Sequence, residues 1–221
     1  MVWVVFTTLE DIHRCKNLFD EYLLPNSSDK AKERYNLAIN KKKAQSIIVA
    51  EQLLKYIVAK TLNINMNEVF IDKKQSDNGK PSINNNNFNI SVSHSDNYIM
   101  GAISNNKIGC DVQRVNYSRK IIPKGFFTED DMSYIFFSID YVTEYHKIWT
   151  RKESYFKLNG RENCDSKINF SNSNDVHLCN KFFFHTEFIE KDVIATICTN
   201  LFYEKIQFTQ LNVVDFVYSY R

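Results

Sequence analysis

Glycine and proline are scarce, with 5 and 3 residues in a chain of 221. That excludes collagenous and other fibrous scaffolds, and it means the loops are built from something else. The 25 asparagines fill the role, because asparagine tolerates turn conformations. Cysteine is sparse and irregular. Cys15, Cys110, Cys164, Cys179 and Cys198 form no C-x-x-C pair, so neither a disulfide framework nor a zinc ribbon is indicated. No apolar run approaches the roughly 18 residues of a membrane span. The apolar stretch from Met1 to Phe6 lacks a basic leader and meets Glu10 and Asp11 before a cleavage site could form. The expected setting is the cytoplasm, with reduced thiols and no membrane partner. One sign of charge is not in excess either: 28 Lys and Arg face 26 Asp and Glu. A net charge of +2 argues against broad nucleic-acid binding but leaves room for a local basic pocket.

What is present is the balance of a soluble globular protein, 43% hydrophobic and 24% charged. The length suits one large domain or two halves of about 110 residues. Val2 to Phe6, β-branched and aromatic throughout, reads as a strand. A charged, helical stretch follows to about residue 39, then a stronger helix over 42–60 with Ala44, Ile47, Ile48, Leu54, Ile57 and Val58 at helical spacing. Residues 73–87, with Asp77-Asn78-Gly79 and four consecutive asparagines, have loop chemistry. Strands are expected at 88–93, at Tyr98 to Ser104 and from Ile108 to Val112. The second half repeats the plan: helices over 128–138 and 141–159, a strand pair at 181–188 and 192–199, and a strand over 206–214. The returning strands Ile99-Met100-Gly101-Ala102-Ile103-Ser104 and Val193-Ile194-Ala195-Thr196-Ile197-Cys198 are alike. The expected fold class is therefore α+β, with two similar halves from an internal pseudo-duplication, residues 1–107 and 108–221. Each half would be a small antiparallel sheet packed against a long helix.

Four clusters of residues could carry chemistry. In Gly109-Cys110-Asp111-Val112-Gln113, strand alternation turns Ile108, Cys110 and Val112 to the core. Asp111 and Gln113 then share the other face, roughly 6.5–7 Å apart, able to address one hydrated cation or phosphate. By itself a D-x-Q pair is more often a solvent-facing strand edge. In Trp149-Thr150-Arg151-Lys152-Glu153-Ser154-Tyr155-Phe156-Lys157-Leu158-Asn159-Gly160, the residues Trp149, Glu153 and Lys157 form one helix stripe, with Gly160 as the stop. Alone, Glu153 and Lys157 would be a surface pair worth about 0.3–0.5 kcal/mol. Ser91-Val92-Ser93-His94-Ser95 sets a histidine among hydroxyls, suited to phosphate binding or to base chemistry, though a turn histidine is commoner. No G-x-S-x-G elbow accompanies it. Finally Gly79-Lys80-Pro81 and the earlier Lys41-Lys42-Lys43 are basic, but Lys80 lacks the spacing of a phosphate-binding P-loop.

Taken in this order, the motifs resemble one family, the 4′-phosphopantetheinyl transferases, in the larger pseudo-dimeric type that activates nonribosomal peptide and polyketide synthetases. The resemblance rests on G-K-P at 79–81, F-N-I-S-V-S-H-S at 88–95, G-C-D-V-Q at 109–113, F-F-T-E-D at 126–130 and W-T-R-K-E-S-Y-F-K-L-N-G at 149–160. It implies that the chain moves the 4′-phosphopantetheine arm of coenzyme A to a serine hydroxyl of an acyl or peptidyl carrier protein. The reaction would depend on Mg²⁺ and release adenosine 3′,5′-bisphosphate. It implies Asp111, Glu153 and Lys157 as catalytic residues. Asp111 and Glu153 would hold the metal with Gln113 beside them, and Lys157 would neutralise the departing pyrophosphate. Lys80, Pro81, Ser93, His94, Trp149 and Lys157 would contact coenzyme A, Ser93 and His94 at its 3′-phosphate.

The family often has a second acidic residue where Gln113 stands. Gln45-Ser46-Ile47 occupies the segment where an early basic residue of the 42–60 helix is expected, with Lys41 to Lys43 the nearest substitutes. The chain is expected to be a monomer with coenzyme A and Mg²⁺ between its halves. Two other readings use the same residues: a non-catalytic relative that binds coenzyme A or a carrier, and a Mg²⁺-dependent phosphohydrolase.

Overall fold

The computed structural model of the chain describes residues 1–73, 81–83, 87–118, 126–160, 168–171, 176–178 and 182–220. Within them the fold is mixed α+β. Strand β1 (Val2–Thr8) leads through α1 (Leu9–Arg14), the short α2 (Lys16–Leu18), a π-helical turn (Phe19–Leu23) and α3 (Asp29–Leu37) to the long α4 (Lys41–Leu62). Helix α4 starts at Asn40, whose side chain accepts from the Lys43 N–H, and ends at Asn63 in the left-handed conformation (φ 54°). Asparagine thus serves at both ends of the helix, in the role that glycine commonly takes at the C-terminal end.

Next come β2 (Ile71–Lys73), β3 (Pro81–Ile83), β4 (Asn89–Ser95), β5 (Tyr98–Ser104) and β6 (Ile108–Arg114). The tight β4–β5 turn puts Asp96 at φ 49°. Helices α5 (Glu129–Phe137) and α6 (Tyr141–Asn159) follow, then β7 (Val176–Leu178), β8 (Phe182–Glu190), β9 (Val193–Thr199), β10 (Phe208–Gln210) and α7 (Val213–Tyr218).

Two four-stranded sheets, ordered β10-β1-β5-β4 and β6-β9-β8-β7, lie back to back. Between them is an apolar layer of alternate residues: Val4 and Phe6 of β1, Met100 and Ala102 of β5, Ile108, Cys110 and Val112 of β6, and Val193, Ala195 and Ile197 of β9. The opposite face of the first sheet is covered by α4, where Leu53, Leu54 and Ile57 meet Ile90, Ile99 and Ile103. The opposite face of the second is covered by α6, where Ile148, Tyr155 and Leu158 meet Phe170, Phe184 and Cys198. Helix, sheet, sheet and helix therefore stack as four layers.

The edge strands β4 and β6 belong to different sheets and are joined by side chains instead of a backbone ladder. Ser91 Oγ accepts from the Cys110 N–H (3.0 Å), Ser93 donates to Asp111 Oδ1 (2.7 Å), and Ser95 donates to Gln113 Oε1 and accepts from the Arg114 N–H, both at 3.2 Å. Period-2 alternation delivers all three serines to one face.

Two expectations need correction. The segment 73–87 is not wholly loop, because Pro81–Ile83 pairs antiparallel with Ile71–Lys73. A strand of three residues opening on a proline is too short to leave a periodic signal. The helical stretch expected to about residue 39 is made of α1, α2, a π turn and α3. The single strand expected over 206–214 is β10 followed by α7, whose start is held by the Asn212 N–H donating to Asp215 Oδ2 (2.8 Å). This last segment crosses back to the first sheet. There β10 pairs parallel with β1, and Val213, Phe216 and Val217 join the core under α4.

Helix α6 rests directly on the β6 backbone. A Cβ on Gly109 would lie 1.9 Å from the Ser154 carbonyl oxygen and 2.7 Å from the Leu158 nitrogen, whereas one on Gly101 would meet only Leu53 and Ile57 side chains at 3.4–3.5 Å. Gly109→Ala should therefore force helix and strand apart and cost about 1–3 kcal/mol, as overpacking does. Gly101→Ala should cost clearly less. Urea unfolding of the two variants measures this, and equal midpoints would mean that the contact at Gly109 is not tight.

Candidate active site

Because α6 lies on Gly109, its polar stripe runs past the next outward residue of the strand. Asp111 is 2% exposed, so it is not the solvent-facing group that strand alternation alone suggests. Its Oδ1 accepts from Lys157 Nζ (2.8 Å) and from Ser93 Oγ (2.7 Å), and its Oδ2 accepts from the Gln113 amide (3.3 Å). A carboxylate so deeply buried requires such donors, since an unpaired buried charge is costly. For Lys157, burial works against the ammonium. The charge of Asp111, aided by Cys110, the Asp111 hydrogen bond and Glu153, outweighs burial and holds its pKa above the ordinary lysine range.

These groups border a cavity of about 710 Å³. One wall carries Ser93 and His94 of β4, Asp111 and Gln113 of β6, and Trp149, Glu153 and Lys157 of α6. The opposing wall comes from α3, α4 and β2, with Lys30 and Arg34 as its cations, Glu51 and Asp72 as its anions and Ile47 and Leu54 as its apolar floor. Seven residues singled out in the sequence thus converge, from three elements as far apart as residues 93 and 157.

Behind the first wall, Trp149 packs against Phe126 (ring centroids 4.3 Å apart) and Tyr145 (6.0 Å). Beneath it lies an ion pair, Lys152 Nζ to Asp131 Oδ2 at 2.8 Å, with side chains 1% and 0% exposed. Asp131 also accepts from the Thr128 and Phe170 N–H groups (3.0 and 2.8 Å). Lys152 faces the rings of Phe126, Phe127 and Phe170 at 4.9–5.9 Å. The buried lysine of the 149–160 motif therefore ties α6, the start of α5 and the 168–171 segment together.

Other sequence candidates fall elsewhere. Pro81 starts β3 and does not border this cavity, and Lys80 lies outside the described residues. None of Lys41 to Lys43 borders it either; Lys41 donates instead to the Tyr35 and Asn36 carbonyls. The Ser93 hydroxyl is engaged with Asp111. Reading the sequence missed Lys30, Arg34 and Glu51. For the first two a signal was available: a four-residue spacing just after Ser28, a good helix cap, sets both on one face of a helix. Glu51 gave none, being one charge in a long amphipathic helix. Among the described residues, no three His, Cys, Asp or Glu side chains cluster as a ready-made metal site.

Asp111→Asn removes the largest influence that opposes burial at Lys157, so the Lys157 pKa should fall. In the wild type a raised pKa means that the ammonium stabilises the fold through neutral pH, and that this is lost only as pH rises through the raised value. The pH dependence of amine acylation at Lys157, read by peptide mass mapping, should show a lower midpoint in the variant. An unmoved midpoint would show that the pair does not govern the lysine.

No family model matches the chain. It is 29% identical over 144 residues to the 4′-phosphopantetheinyl transferase gsp of Aneurinibacillus migulanus, a match covering 63% of this chain and 59% of that protein. It is 24% identical over 134 residues to the 4′-phosphopantetheinyl transferase psf-1 of Bacillus pumilus, covering 59% and 55%. The chain spans less than two thirds of the length of these curated relatives. Both carry the name of the family that its motifs resemble.

Proposed function

We propose that this homologue of the 4′-phosphopantetheinyl transferases transfers the phosphopantetheine arm of coenzyme A to a serine of a carrier protein. The observation that carries the proposal is one cavity bordered by Asp111, Glu153 and Lys157 on one wall and by Lys30 and Arg34 on the other. A cleft of that volume with cations on both walls suits a long ligand with two separate anionic groups, such as coenzyme A. Lys30 and Arg34, with His94, would meet the 3′-phosphate, and Lys157 the pyrophosphate.

The donor set also fits magnesium. Asp111 and Glu153 supply hard carboxylate oxygens with the Gln113 amide beside them, and Mg²⁺ favours one or two carboxylates plus phosphate oxygens. When bound there, the ion would neutralise pyrophosphate charge and polarise the phosphorus under attack. The chain's own residues do the rest. Glu153 takes the proton of the carrier serine as its oxygen attacks the phosphorus nearer the pantetheine, forming a phosphodiester. The bond to the bridging oxygen breaks, adenosine 3′,5′-bisphosphate leaves, and Lys157 stabilises the charge that develops on it.

The two halves support a pseudo-duplicated plan. In each, the first strand pairs antiparallel with the last, which pairs antiparallel with the one before it: β1-β5-β4 in residues 1–107 and β6-β9-β8 from residue 108 on. We take the division at 107/108 as the ancestral one, with β10 and α7 as a return to the first half. A monomer acting in the cytoplasm, with acyl or peptidyl carrier domains as its protein partners, completes the reading.

The test incubates the protein with an apo carrier, coenzyme A and Mg²⁺ and weighs the carrier. A gain of one phosphopantetheine is expected, and Glu153→Gln at unchanged circular dichroism should lower its rate by about 10²-fold or more, the scale of a lost proton acceptor. Free phosphopantetheine without carrier modification would instead mark a phosphohydrolase, and no product would mark a binding protein. Gln113→Glu adds a carboxylate to the proposed metal site. It should lower the Mg²⁺ concentration for half-maximal rate severalfold to tenfold, up to about 1.4 kcal/mol. An unchanged titration would remove Gln113 from the metal's surroundings.

A further inference from the structure

Lys30 and Arg34 stand on a helix with little apolar anchorage. Of the nine residues of α3 only Ala31 is buried, and Tyr35 adds a ring contact with Phe19 at 5.7 Å. What seats the start of this helix is polar and comes from α4. Glu51 accepts from both the Ser28 N–H and the Ser28 hydroxyl, each at 2.6 Å. That same hydroxyl oxygen caps α3 by accepting from the Ala31 N–H at 3.2 Å. Neighbouring α4 side chains extend the grip. Gln52 donates to the Leu23 carbonyl (3.1 Å) and the Ser27 hydroxyl (2.8 Å), and Lys55 donates to the Asn26 carbonyl (2.8 Å) and lies 3.9 Å from Glu51.

We propose that Glu51 is a positioning residue for the nucleotide end of the ligand: it clasps the cap of α3 and thereby holds Lys30 and Arg34 at the cavity. This rests on the function proposed above, in which those two cations meet the 3′-phosphate. Two carboxylate oxygens taking an N–H and an O–H of one residue fix that residue in orientation as well as distance. The orientation of residue 28 sets the axis of the helix that begins there, and with it the height of positions 30 and 34, one on the first turn and one on the next.

The proposal opposes simple electrostatics. Glu51 is an anion in the wall of a cavity meant for a polyanion, so Coulomb repulsion alone predicts that neutralising it tightens binding. A clasp predicts the reverse sign.

Calorimetric titration of wild type, Glu51→Gln and Ser28→Ala with coenzyme A and with dephospho-coenzyme A separates the two. A glutamine offers one acceptor oxygen, so it cannot receive both Ser28 donors through separate oxygens. Both variants should bind coenzyme A about fivefold to tenfold more weakly, a loss of up to one decade in Kd. Dephospho-coenzyme A should bind as in wild type, and turnover at saturating coenzyme A should hold while KM rises.

Tighter or unchanged binding of coenzyme A by Glu51→Gln overturns the clasp, as does an equal loss with both ligands. A wild type that fails to bind coenzyme A overturns the function itself, so the two failures are distinct.

Discussion

The close approach of α6 to β6 at Gly109 is the constraint on which the candidate site depends. A side chain there would occupy the space of the Ser154 carbonyl. With hydrogen alone at that position, a helix lies on a strand backbone, and the polar stripe of the helix comes within hydrogen-bond reach of Asp111. Any wider spacing would leave Lys157 short of its partner and the buried carboxylate without its strongest donor. The serines of β4 complete the arrangement from the other side. They join two edge strands by side-chain hydrogen bonds, so the position of Asp111 is set by both sheets at once.

Charge in this protein is organised locally. The net balance of +2 hides a cavity with carboxylates and one lysine on one wall and two further cations on the other. Two deeply buried carboxylates each have a defined cationic partner: Asp111 has Lys157, and Asp131 has Lys152. The second pair touches nothing in the cavity. It holds together α6, the cap of α5 and the 168–171 segment, and so braces the aromatic packing behind Trp149. Buried pairs of this kind contribute little net stability but are costly to break on one side only, which makes them good at fixing one arrangement over others.

Much of this was legible in the residues. Strong periodicity gave α4, α5 and α6 to within a few residues, alternation gave β4, and the turns at 95–97 and 105–107 bounded β5 and β6, while β5 and β9, buried along their whole length, read as short apolar runs. Spacing alone left Asp111 a strand edge and Glu153 and Lys157 a surface pair; it was the order of their motifs, and the family it resembles, that singled them out. Short elements were not legible. Strand β3 and strand β10 have three residues each, which is below what a period of two can reveal, and the shift from β10 to α7 turns on a cap at Asn212.

Local side-chain patterns fix the long helices and strands and the chemical types brought to the site. These follow from local side-chain periodicity and from the acid–base character of single residues. The burial of Asp111, the approach of Lys30 and Arg34 rather than Lys41 to Lys43 to the cavity, and the packing of α7 under the first sheet come instead from the assembly of the layers. The reason is physical. Burial and proximity depend on which faces meet across layers, and those meetings are set by contacts such as Ser154 over Gly109 and Glu51 on Ser28, between residues 23 to 45 positions apart that no local pattern couples.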